Sequence, residues 1–141
     1  MEVKELYTFE QTTGVKIPLY MMSVSAGIPV AVESEVDDVI DINEYLIDHP
    51  AATFFARVKG DSMTDIGIHD NDIVIFDTSV KPQDGKVVIA LGNDELTVKI
   101  FRNMDGIDYL QSSNSQFLPI KIEPYLEFKI LGVVTKVIHT L

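Results

Sequence analysis

From residue 53 to the end of the chain, apolar side chains alternate with polar ones in short runs, the period of a half-buried β-strand. The runs cover 53–58, 72–76, 86–91, 95–101, 107–111, 120–122 and 128–138, and they are rich in β-branched and aromatic residues. Turn-forming residues separate them: His69-Asp70-Asn71-Asp72, Lys81-Pro82-Gln83-Asp84-Gly85, Gly92-Asn93-Asp94 and Asp105-Gly106. Short strands punctuated in this way predict a mostly β domain, a twisted barrel or a sandwich. Gly92-Asn93-Asp94 reads as a hairpin turn, which places Lys99 inside the hairpin's second strand. Ahead of the strands, 41–49 reads as a short helix, with Asp41 as cap, Glu44 three residues on and Pro50 as stop.

Residues 1–40 lack a sustained period and carry Gly14, Pro18, Gly27 and Pro29, followed by an acidic run over 33–38. They predict a flexible arm, 1–40, leading into a β-rich domain, 41–141. Within the arm, Pro29 biases Ile28 toward extended backbone and Gly27 removes bulk beside it, the shape that proteases bind.

Composition narrows the function. The chain of 141 residues has no cysteine, so disulfides, thiolate nucleophiles and cysteine zinc sites are excluded, and a cytoplasmic setting is expected. Eleven basic residues against 22 acidic ones give a net charge of −11, which repels phosphate backbones; direct duplex DNA binding is not expected. The apolar stretch 17–32 imitates a secretory signal, with Val24-Ser25-Ala26 as small residues. Its leader is acidic, however, and Pro18 and Ser23 interrupt a run too short to span a bilayer, so no membrane association is expected.

Two residues stand out chemically. Ser62 lies in Lys59-Gly60-Asp61-Ser62-Met63, just past a strand; Gly60 permits a tight turn that exposes the hydroxyl and can aim amides around Asp61 and Ser62 at an oxyanion. An ordinary turn serine is the alternative. Lys99 shares a strand face with Thr97. If apolar neighbours enclose the amine, its pKa falls and it can act as a base for a serine, with the Thr97 hydroxyl orienting it; otherwise it is a solvent-facing lysine. His49, His69 and His139 show no metal-ligand spacing, and 69–72 reads as a turn, so neither a metal nor another cofactor is expected.

Gly60-Asp61-Ser62-Met63, then Gly67-Ile68 and the strand from Asp72, resembles the serine region of the LexA/UmuD self-cleaving serine peptidases (S24). Thr97-Val98-Lys99 resembles their lysine region, Ser25-Ala26-Gly27-Ile28-Pro29 their cleavage segment, and 132–138 their last strand, all in the family's order. The resemblance implies a LexA/signal-peptidase-like β domain, a Ser62–Lys99 dyad, and cleavage of the chain's own Ala26–Gly27 bond. His49-Pro50-Ala51-Ala52-Thr53-Phe54-Phe55 and the short acidic leader, which has no room for a helix-turn-helix, resemble the UmuD branch, the SOS mutagenesis subunit of DNA polymerase V. That branch implies a homodimer, cleavage stimulated by a RecA filament on single-stranded DNA, and a trimmed product serving a UmuC-like Y-family polymerase in translesion synthesis. A LexA- or phage-type repressor lacking its DNA-binding domain and a non-cleaving polymerase adaptor remain alternatives. Asn71 replaces the glycine usual in the family's turn, and asparagine tolerates left-handed geometry.

Overall fold

The structure, a computed structural model, describes residues 1–8, 16–20, 36–113, 118–124 and 128–141. Two compact units are found, Met1–Phe9 with His49–Leu141, and Glu10–Asp48. In the larger unit β1 (Glu2–Thr8), β4 (Thr53–Lys59), β5 (Ile73–Asp77), β6 (Val87–Gly92), β7 (Glu95–Met104), β8 (Ile107–Gln111), β9 (Ile120–Lys121) and β10 (Lys129–Ile138) form one sheet. Its order is β1-β4-β5-β10-β6-β7-β8-β9, and β1 also pairs with β7, so the strands from β1 to β7 close into a barrel. Closure brings Glu2 opposite Thr97, and the Val98 amide donates to the Met1 carbonyl at 2.9 Å. A mostly β domain was expected as a barrel or a sandwich, and the strands form the barrel.

The barrel interior holds Ala56, Val58, Met63, Ile68, Val74, Phe76, Ile89 and Val98, with Phe54 stacked on Phe76 at a ring-centroid distance of 5.6 Å. A second cluster of Val88, Ala90, Phe101, Leu110 and Val133 covers the other face. Alternation explains both, since Val88 and Ala90 enter one cluster and Ile89 between them enters the other. Bulges in β10, one between Ile130 and Gly132 and one between Val134 and Lys136, bend the strand so that it serves both β5 and β6. Gly132 allows this close approach: a Cβ there would stand 2.8 Å from the Asp77 carbonyl oxygen.

Gly92 pairs with Glu95 across Asn93 (φ 52) and Asp94 (φ 60), the two left-handed residues of a type I′ hairpin, as expected. Asn71 has φ 69, the left-handed geometry that asparagine was expected to tolerate there.

Two expectations are corrected. The region 1–40 is not a featureless arm. β1 belongs to the main sheet although nearly all its side chains are exposed; it is held by main-chain pairing to β4, which leaves no hydrophobic period. In the smaller unit β2 (Lys16–Tyr20) pairs antiparallel with β3 (Val36–Asp41), which runs across the expected boundary at 40/41. The helix is also shorter than expected. Asp41 caps α1 (Ile42–Leu46) by accepting from the Asn43 and Glu44 amides, but Ile47 is already extended, so the helix ends before Pro50, which instead starts a 3-10 turn. No helix among the described residues is long and apolar enough to cross a membrane.

Candidate active site

Ser62 follows β4 in a segment with several ties. Gly60, at φ +111, donates its amide to Asp70 Oδ1 at 2.8 Å. The Asp61 carbonyl accepts from the Thr64 hydroxyl at 2.9 Å and from its amide at 3.3 Å. Met63 is fully buried in the barrel and its carbonyl takes the Ile66 and Ile68 amides, so the residue after the serine is an anchor. The Ser62 carbonyl accepts from Ser113 Oγ at 2.7 Å. These contacts hold a half-buried Ser62 hydroxyl at a cleft of about 370 Å³ lined by Met1, Glu2, Lys59, Gly60, Asp61 and Ser62.

Lys99 reaches the same end of the barrel from β7. It is half-buried, and burial pushes its pKa down while the Glu95 carboxylate pushes it up. Its Nζ donates to Ser112 Oγ at 3.0 Å. The Ser62 hydroxyl in turn accepts from the Met1 α-ammonium at 2.6 Å. That ammonium's pKa is also lowered, first by burial and then by the Lys99 charge, against Glu2, Glu95 and Asp61. Ser62 and Lys99 thus both flank Met1, and each makes its hydrogen bond to a third group.

The other expected site residues lie as follows. Thr97 shares the lysine's strand, but its hydroxyl is directed at the Ala90 carbonyl, 3.5 Å away. Asp61 is exposed beside Ser62. The Ala26–Gly27 bond lies outside the described residues. Ser112 and Ser113 do not emerge from the sequence pattern, because they follow β8 and reach the site only through the β7–β8 pairing. His69 and His139 show no ligand spacing in sequence, yet both converge on Asp72. His49 pairs with Asp77.

The barrel, the serine turn and the lysine strand occur in the order that the motifs implied, and comparison with known proteins agrees. The Peptidase S24-like family matches residues 18–135. The chain belongs to the Peptidase S24-like family. Protein SamA of Salmonella typhimurium is 38% identical over 122 residues, covering 86% of this chain and 84% of SamA. Protein MucA of Escherichia coli is 37% identical over 120 residues, covering 84% of this chain and 82% of MucA. The LexA repressor of Shewanella baltica is 35% identical over 131 residues, which is 92% of this chain but 63% of the repressor. The matched stretch runs from β2 into β10 and so contains the serine turn and the lysine strand, while β1 lies ahead of it.

Proposed function

We propose that this S24-family chain hydrolyses its own Ala26–Gly27 bond, with Ser62 as nucleophile and Lys99 as general base. The observation that carries the reading is the half-buried lysine at the barrel seam, its charged form disfavoured by burial, on the strand that meets Met1 beside the Ser62 turn. Neutral Lys99 removes the Ser62 proton, and the alkoxide attacks the Ala26 carbonyl, assisted by amides around Asp61 and Ser62. The Gly27 amine leaves with the lysine's proton, and water then releases the acyl group from Ser62. Tethering supplies the substrate at high effective concentration. Orientation of the amine passes from Thr97 to Ser112, whose hydroxyl already accepts from Nζ.

In this reading the described arrangement is a resting one. Lys99 is held by Ser112 and Ser62 by Met1, so cleavage requires both to exchange partners and the segment at 26/27 to reach the cleft. A partner that binds the competent state raises its population. The resemblance to the UmuD branch supports a RecA filament on single-stranded DNA as that partner, and a trimmed homodimer serving a UmuC-like Y-family polymerase in SOS mutagenesis.

The test is incubation of the purified chain at alkaline pH, and separately with RecA, nucleotide and single-stranded DNA, followed by mass spectrometry. A fragment beginning at Gly27 is expected, with Ser62→Ala and Lys99→Ala remaining whole. Cleavage of either variant at the wild-type rate overturns the dyad.

A further inference from the structure

The turn between β4 and β5 and the residue just past β10 bring two imidazoles to one buried carboxylate. Asp72 is 2% exposed. Its Oδ1 lies 2.5 Å from His139 Nδ1, and its Oδ2 accepts the His69 amide at 2.8 Å, with His69 Nδ1 3.8 Å away. The two rings are tilted by 46° with centroids 5.1 Å apart. One potential ligand atom from each residue lies within 4.8 Å of the other two.

We infer that His69, Asp72 and His139 bind a divalent first-row transition ion, Zn²⁺ being the best fit. Two imidazole nitrogens and one carboxylate oxygen are borderline donors that suit zinc and its neighbours, whereas magnesium and calcium seek sites built of oxygen. Three protein ligands leave a fourth position for water. Asp72 is held in advance: its Oδ2 accepts the His69 amide, and its main chain is tied by its amide donating to the His69 carbonyl at 3.1 Å and its carbonyl taking the Val58 amide at 3.0 Å. Tetrahedral ligands about 2.0–2.1 Å from zinc stand roughly 3.3 Å apart. The widest pair therefore closes by at most about 1.5 Å and the Asp72–His139 pair opens by under about 1 Å. His69 and His139 have side chains 50% and 47% exposed, so their rings can make these movements without disturbing the core. The ion takes the place of the hydrogen between Asp72 and His139, with the imidazole's one N–H then at Nε2. The net charge of −11 favours cation uptake.

The clip joins the end of β10 to the turn containing Asp70, the acceptor of the Gly60 amide two residues before Ser62. It does not depend on the chain being a protease, and its test does not read cleavage. The full chain, stripped with chelator, is titrated with Zn²⁺ by calorimetry and with Co²⁺ by visible absorption at neutral pH. One ion per chain is expected, with ligand-field bands of a low-coordinate Co²⁺ site. His69→Ala and His139→Ala should each weaken Zn²⁺ binding by about tenfold or more, since even outer-shell changes cost metal sites that much. Both replace exposed side chains, and circular dichroism verifies that each folds; His49→Ala, outside the trio, should match wild type. Absence of saturable binding, or weakening in only one or neither of the two trio variants, overturns the assignment.

Discussion

Asp70→Ala tests whether the turn after β4 positions the nucleophile. In the structure Asp70 Oδ1 is the acceptor for the Gly60 amide at 2.8 Å, and Gly60 holds a φ of +111 that starts the path to Ser62. The bond is exposed, so removing the acceptor costs the net value of a solvated hydrogen bond, about 0.5–1.5 kcal/mol, and not a desolvation penalty. Through the Boltzmann factor, local opening of this segment becomes roughly two- to tenfold easier. The Thr64 and Ser113 contacts to the Asp61 and Ser62 carbonyls remain, so the barrel as a whole stays folded. Amide hydrogen exchange resolved at Gly60 should accelerate by that factor in Asp70→Ala. Asp70→Asn keeps an oxygen acceptor without its charge and should fall between the two. Self-cleavage should slow in the same rank order. Equal Gly60 exchange in wild type and Asp70→Ala refutes the positioning role.

Gly132→Ala should destabilise the fold by about 1–3 kcal/mol, because the added Cβ meets the Asp77 backbone and the Phe76 ring; a melting temperature within a degree of wild type contradicts the close-approach account. Met63→Ala, which empties a fully buried position next to Ser62, should cost about 2–5 kcal/mol in urea unfolding; a loss under 1 kcal/mol removes Met63 as the anchor. Because burial, opposed by Glu95, pushes the Lys99 ammonium down, the unfolded chain keeps that proton to higher pH than the folded one. Stability should therefore rise as pH climbs from the folded value toward about 10.4, and Lys99→Met should flatten the rise; identical urea midpoints for the two proteins at pH 7 and at pH 10 exclude this. Burial raises the Asp77 carboxyl, but the Ser79 hydroxyl, His49 and the Ser79 amide outweigh it and leave the pKa below the ordinary range. Its contribution is thus present above about pH 3.9 and lost as pH falls through the lowered value. Asp77→Asn should cost about 1.5–3 kcal/mol at pH 7, with the gap to wild type closing in acid; a pH-independent gap counts against the charged acceptor.

How much was legible in the sequence depended on whether a segment earns its place through its own side chains. β5 and β6 present buried Val74, Ile75, Phe76, Val88 and Ile89, so composition alone marks them. The Gly92–Asp94 hairpin was equally plain, because left-handed φ values restrict which residues fit. β1 was hidden for the opposite reason. Its sequence, Glu-Val-Lys-Glu-Leu-Tyr-Thr, buries little, and its place depends on β4 presenting an edge that a local pattern does not show. Yet β1 is the strand that closes the barrel at the seam beside Ser62 and Lys99, so the part of the fold hardest to read shapes the candidate site.

The site divides along the same line. Ser62 sits in a short motif whose chemistry is local, a glycine with positive φ, a half-buried hydroxyl and a buried methionine after it, and such features can be read from consecutive residues. The environment of Lys99 is not local. Ser112 meets its amine only because β7 and β8 pair with Ile100 opposite Gln111, which brings the residue after that strand alongside the lysine. A slip of one residue in that pairing would turn Ser112 to the other face and leave the ammonium without this acceptor. The convergence of His69 and His139 on Asp72 has the same origin, since β10 pairs with β5 so that Ile138 stands opposite Ile73, and the residue after β10 and the residue before β5 fall at one corner. Strand register, set by the buried alternation of the core, thus decides which polar residues meet at each end of the barrel, and the motifs identify only the residue types available to it.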